Sequence, residues 1–178
     1  MPIDAYVLIS HGDYRATEGL GESELGRWRG KAVGTFDAVI AIEAGDLDGI
    51  REQVRAIREA AAGNIRTDTL FAVRPRPCLV KRTSLPDGWM MAFMLIDAAP
   101  HQTRNVLEDL RRMDPDHVAA AAIVTGSADL LVELHAEDFD GLLDHAELVG
   151  EIDGIRSTRT TFVQPSENSP NRPDGQAS

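Results

Sequence analysis

Short apolar runs alternate with amphipathic stretches along this chain, most clearly between residues 90 and 165. Residues 90–96 (Met-Met-Ala-Phe-Met-Leu-Ile) are apolar throughout, bounded by Asp97 and Pro100. A strand-length run without alternation predicts a strand covered on both faces. Val106, Leu107, Leu110 and Met113 then recur on one stripe of a helix, which Asp114-Pro115-Asp116 stops. Residues 118–124 and 130–134 predict two further strands joined through Gly126, with Glu133 the one charge in the second. Asp138 is placed to N-cap a helix carrying Phe139, Leu142, Leu143, Ala146 and Leu148. Residues 155–163 are β-branched and alternating, the pattern of a half-exposed strand. The order β-α-β-β-α-β is the split βαβ, or ferredoxin-like, unit.

The first half repeats this order. Residues 5–9 match residues 92–96 at an offset of 87. Gly34-Thr35-Phe36-Asp37 recurs 92 residues later as Gly126-Ser127-Ala128-Asp129, and Asp46-Leu47-Asp48-Gly49-Ile50 as Asp138-Phe139-Asp140-Gly141-Leu142. At an offset of 91, Gly63, Thr67, Thr69 and Phe71 match Gly154, Thr158, Thr160 and Phe162. Offsets that drift only at loops are what a duplicated fold gives. The copies are unequal: Ser10 to Gly34 is 24 residues against 29 from Asp97 to Gly126, and glycines at 12, 19, 21, 26 and 30 disfavour a full first helix. A short helix is expected near residues 22–28. The expected fold is α+β: two tandem ferredoxin-like βαββαβ units with antiparallel sheets, paired within the chain. A degenerate unit spans 1–75, a linker 76–89, a complete unit 90–165 and a disordered tail 166–178.

With 43% apolar and 26% charged residues, the 178-residue chain has an ordinary globular composition. It has no apolar run long enough for a membrane span and no secretory leader pattern, and its single cysteine, Cys78, excludes an internal disulfide. A cytoplasmic setting is expected. The net charge of −11 argues against direct binding to nucleic acid. Arg74, Arg76, Lys81 and Arg82, spread over the proline-containing linker, read as a solvated connector.

The repeated Gly-x-x-Asp corner is where chemistry concentrates. Glycine accepts the positive φ of a tight turn, and the aspartate can hold backbone N–H groups of that turn. A well-made hairpin and a small-molecule site both need these residue types. The series Val124-Thr125-Gly126-Ser127-Ala128-Asp129-Leu130, Asp138-Phe139-Asp140-Gly141-Leu142 and Gly154-Ile155-Arg156-Ser157-Thr158-Arg159-Thr160 resembles the effector-binding (RAM) domain of Lrp/AsnC regulators. The resemblance covers residues 92–163 and, in the first half, residues 34–73 with the strand at Tyr6. It implies ferredoxin-like domains that pair through their sheets, and an amino acid or related metabolite bound near the corner at an interface. Carried over by position, the ligand-binding candidates are Thr125, Gly126, Ser127, Ala128 and Asp129, with Thr158 and Thr160 on the last strand. In the first copy they are Gly34, Thr35, Phe36 and Asp37, with Thr67 and Thr69. The implied function is non-enzymatic sensing and oligomerisation, as a homo-oligomer or in a hetero-assembly with an Lrp/AsnC-type regulator, without cofactor or metal. A first strand starting near Ala5 leaves no room for the family's helix-turn-helix, so DNA binding does not carry over.

Other residues weigh less. His101, His117, His135 and His145 lack the spacing of a metal site, and His11-Gly12-Asp13 reads as a turn after the first strand. Glu43 and Glu133 are read as equivalent strand positions facing solvent or an assembly interface. Two alternatives stay open. One is an enzyme of the dimeric α+β barrel type, an oxygenase or isomerase with a cavity between sheet and helices, in which His135 or His11 supplies the polar group. The other is a purely structural oligomerisation module.

Overall fold

The computed structural model describes residues 3–10, 28–34, 36–60, 65–73, 78–81, 85–86 and 88–165. The elements in chain order are β1 (Ile3–Ser10), β2 (Trp28–Gly34), β3 (Ala38–Ala44), α1 (Leu47–Ala60), β4 (Arg66–Ala72) and β5 (Cys78–Val80). They continue with β6 (Met90–Ala98), α2 (Thr103–Arg112), β7 (Val118–Thr125), β8 (Leu130–Ala136), α3 (Phe139–Gly150) and β9 (Ile155–Pro165).

The apolar runs become strands because each has cover on both faces. In β8, Leu130, Val132 and Leu134 pack toward α2 and α3 with Val106, Leu107, Leu110 and Leu142, while Leu131 points the other way, among Met91, Phe93 and Leu95. Full burial of one such side chain contributes about 1.5–3 kcal/mol. Both helices that follow the paired corners start on an aspartate cap. The Asp46 carboxylate accepts from the Gly49 N–H at 2.9 Å, and the Asp138 carboxylate from the Gly141 N–H at 2.8 Å.

The strands form one sheet in the order β4-β1-β3-β2-β9-β6-β8-β7-β5, and an additional β4–β7 pairing returns it on itself as a barrel. Every pairing is antiparallel. The first half (β1–β4) joins the second (β6–β9) along two seams, β2–β9 and β4–β7. Their registers correspond: Val33 faces Phe162 and Ala32 faces Val163 in one seam, Thr125 faces Phe71 and Val124 faces Ala72 in the other. Each pair is the other shifted by the sequence offsets of 91 and 92. Three apolar clusters follow from this layout. Two lie outside the barrel, beneath α1 and beneath α2 with α3. The third fills the inside with Leu8, Val39, Leu70, Met91, Phe93 and Leu131.

Two expectations change. The linker holds β5, whose backbone pairs with Ala120–Ala122 of β7. Lys81 is not part of a solvated connector: its Nζ donates to the carbonyl oxygens of Leu110, at 2.7 Å, and Met113, closing the C-terminal end of α2. The expected short helix lies, but for Trp28, outside the described residues, and Trp28 opens β2. His11 and the expected tail also lie outside them.

Candidate functional site

Both Gly-x-x-Asp corners sit at the ends of seam strands. At the second, between β7 and β8, Gly126 has φ +144°, and a Cβ there would meet Leu70 of β4. The Asp129 N–H donates to the Ile96 carbonyl at 3.0 Å, matched at the first corner by Asp37 N–H to the Ile9 carbonyl at 2.7 Å. The Asp129 carboxylate accepts from the Ala98 N–H at 2.9 Å, so its first task is to tie the corner to β6.

The residues expected at the site part into three groups. Phe36 and Ala128 are both buried and belong to the barrel interior, so neither stands on an open surface. Gly34 is taken up in backbone pairing with Thr161 of β9, and Thr35 lies outside the described residues. Thr158 and Thr160 face Ile96 and Met94 in register, residues that pack on the helix side of the sheet. Thr67 is likewise on that side, where Arg58 of α1 reaches its hydroxyl at 2.9 Å. These threonines therefore do not converge with the corner.

What converges is a polar group on the exposed side of Ser127. The Ser127 hydroxyl bonds the Asp68 carboxylate of β4, and the Ser127 carbonyl accepts from Arg159 Nη2 at 2.5 Å. Arg159 also lies 3.8 Å from Asp97, with side chains 35% and 42% exposed, and Ser157 donates to Asp97 at 2.7 Å. Arg159 and Asp97 were not among the expected site residues. Period-two alternation along β9 separates Arg159 from Thr158 and Thr160 and is the signal that marks it. One guanidinium and two carboxylates thus surround a serine on the seam between the halves.

A cavity of about 190 Å³ lies elsewhere, inside the barrel. Asp4, Tyr6, Glu43, Phe93, Ala122 and Glu133 are among its lining residues, and none of the expected corner residues is. It reaches the surface beside Val80, which lines it and is 58% exposed. Glu43 and Glu133 therefore face the barrel interior, not solvent or an outer assembly face. They are not equivalent positions either: Asp4 faces Glu43 as Met91 faces His135, so the counterpart of Glu43 is His135 and that of Glu133 is Ala41. The cavity also lies between the halves of the sheet, not between sheet and helices.

His135 is fully buried and shares a hydrogen bond with Glu133, Nε2 to Oε1 at 2.6 Å, while its Nδ1 has no hydrogen-bond partner. Its carbonyl accepts from His145 Nδ1 at 2.9 Å, and the ring of His145 lies 4.4 Å from that of His117. Burial, and then the neighbouring His117, hold the His145 imidazole below its ordinary value; the bond to the His135 carbonyl and Asp144 and Asp116 oppose this. Burial likewise lowers Lys81, against the pull of Asp114. No group of three or more His, Cys, Asp or Glu side chains among the described residues is arranged to hold a metal ion. No helix among them is long and apolar enough to cross a membrane.

Residues 91–169 match the family model of the Lrp/AsnC ligand binding domain. An uncharacterised HTH-type transcriptional regulator of Pyrococcus abyssi is 36% identical over 75 residues, 42% of this chain and 46% of that protein. A similar regulator of Pyrococcus horikoshii is 32% identical over 75 residues with the same coverage. The aligned residues thus span about half the length of these curated relatives. Among solved structures, the siroheme decarboxylase NirDL superposes with a TM-score of 0.63 over 92% of this chain and 71% of its own, at 9% identity. A mutant chlorite dismutase of Candidatus Nitrospira defluvii gives 0.57 over 92% of both chains at 11% identity. At that identity the likeness is one of fold alone. Residues 91–169 are thus similar to an Lrp/AsnC ligand-binding domain, a likeness that supports a regulatory sensing module.

Proposed function

We propose that the chain is a non-enzymatic sensing and oligomerisation module of Lrp/AsnC type, whose effector is an amino acid or a related zwitterion. The carrying observation is the Arg159–Asp97–Asp68 group around Ser127. A zwitterion asks for a cation and an anion a few ångströms apart, and this patch supplies both on an exposed seam. The effector's carboxylate lies on Arg159, whose planar fork suits it, and its ammonium on Asp97 or Asp68. The ion pair already there is loose and partly exposed, worth about 0–1 kcal/mol, so a ligand displaces it at little loss. In this proposal Thr125, Gly126, Ser127, Ala128 and Asp129 form the corner that holds the patch in place. The first corner, from Gly34 to Asp37, serves as the mate that completes the barrel.

The matching seam registers support treating residues 1–75 as a degenerate RAM-like unit paired with the complete unit at 90–165, joined through 76–89. The proposed partners are further copies of the chain or an Lrp/AsnC-type regulator of the cytoplasm, met by co-assembly and not through DNA.

A thermal-shift screen of about twenty amino acids, with mass by size-exclusion run in parallel, tests the proposal. Ligand at a hundred times Kd stabilises by about 2.7 kcal/mol. One chemical class of amino acid should raise the melting temperature, and Arg159→Ala should remove the rise. A flat response across all twenty leaves the structural module standing in its place.

A further inference from the structure

Asp68 and Arg159 hold the same position in the two halves. The offset of 91 that relates Thr67 to Thr158 and Thr69 to Thr160 also relates Asp68 to Arg159. From β2 through β9, β6 and β8 to β7, each strand is antiparallel to the next, so β2 and β7 run in one direction. Both Gly-x-x-Asp corners therefore open at the same mouth of the barrel. Asp68 shares its side of β4 with Leu70, and Arg159 shares its side of β9 with Val163. Leu70 and Val163 belong to the interior cluster, so Asp68 and Arg159 both stand on the inward side at that mouth. One position of the repeat has become a carboxylate in one half and a guanidinium in the other, and Ser127 touches both.

The charges around Ser127 do not balance. Arg159 faces Asp97 at 3.8 Å, while Asp68 accepts the Ser127 hydroxyl and enters no ion pair among the described residues. An ordinary zwitterion meets Arg159 with its carboxylate and Asp97 with its ammonium, and leaves Asp68 unanswered. A carboxylate has about four lone-pair sites, and a single hydroxyl fills one of them. Room for a second donor therefore remains on Asp68, in the same patch and on the opposite side of Ser127 from Arg159.

We propose, resting on the sensing role given above, that the effector is a dibasic amino acid and that Asp68 determines this specificity. The α-carboxylate lies on Arg159, the α-ammonium on Asp97, and the side-chain cation reaches across Ser127 to Asp68 on a flexible stem. The ligand's net charge of one then answers the one unmatched carboxylate of the patch. The degenerate first half thereby contributes a binding residue, and the site is complete only where β4 closes on β7.

Calorimetric titration of the full chain compares L-lysine with L-norleucine, which keeps the zwitterion and the carbon stem but lacks the side-chain cation. L-Lysine should bind about five to ten times more tightly, the ratio expected of one more charge-assisted contact at a partly exposed carboxylate. Asp68→Asn should erase that preference and leave the Kd of L-norleucine within about twofold of the parent. Glu147→Gln removes an equal charge from the exposed face of α3 and should leave the preference intact. That variant separates Asp68 from the general pull of a chain of net charge −11. If Asp68→Asn does not fold, Nε-acetyl-L-lysine removes the cation from the ligand instead and should bind the parent as weakly as L-norleucine. L-Norleucine or Nε-acetyl-L-lysine binding as tightly as L-lysine, or a preference that survives Asp68→Asn, overturns this proposal and leaves the amino-acid site itself standing. Binding of no amino acid at all overturns both.

Discussion

Gly126 lies against Leu70 so closely that a Cβ on it would stand 2.7 Å from Leu70 Cδ2 and 3.3 Å from the Thr69 carbonyl oxygen. The glycine of the second corner is thus required by the strand of the other half, not by its own hairpin alone. Its φ of +144° adds a second reason. Gly126→Ala should lose roughly 2–4 kcal/mol from backbone strain and overpacking together. Urea denaturation measures this; a loss under about 0.5 kcal/mol contradicts the packing of the seam.

Asp129 and Arg159 should separate stability from ligand binding. Asp129→Ala removes the acceptor for the Ala98 N–H and should lower stability by about 1–3 kcal/mol with no effector present. Arg159→Ala breaks only an exposed pair and a bond to the Ser127 carbonyl, so stability should stay within about 1 kcal/mol of the parent. The same variant should bind the effector at least ten times more weakly, a ratio calorimetric titration reads directly.

Lys81 should matter more than its place in a connector suggests. Its ammonium satisfies two carbonyls at the end of α2, where a cation also meets the negative end of the helix dipole. Lys81→Met should cost about 1 kcal/mol and speed amide exchange at the C-terminal end of α2 (Thr103–Arg112) more than elsewhere. Uniform exchange across the chain contradicts this role.

Stability should fall on mild acidification through His145. Its folded value lies below the ordinary 6.5, chiefly by burial and then through His117. A base with a depressed folded value binds its proton more readily when unfolded. The stability it contributes is therefore fully present above about pH 6.5 and is lost as the pH falls through the folded value. Denaturation midpoints taken between pH 7.5 and 5 should drop for the parent and drop less for His145→Gln. Equal slopes contradict the assignment.

Much of this fold is legible in the sequence because its local signals and its pairing agree. The continuous run of β6 does lie between two apolar layers, Asp138 does cap α3, and the offsets between halves reappear as matched registers along the seams. What was hidden depends on pairing across the barrel. Glu133 looks like the counterpart of Glu43 until the strand register gives that place to His135. Arg159 sits between two threonines that the family resemblance marks, and only its parity on β9 turns it to the other face. The cavity has no local signature at all, because its walls come from both halves. β5 was missed since three residues of strand inside a proline-containing segment carry no period of their own.

The most direct test of the central claim is an amide NMR titration of the full chain with the amino acid that stabilises it most in the screen. The amides of Asp97, Gly126, Ser127 and Arg159 should shift together and saturably, and Arg159→Ala should abolish the shifts. Shifts confined to Ala120, Ala122 and Glu133 on the cavity wall, or no saturable shift at all, would contradict it.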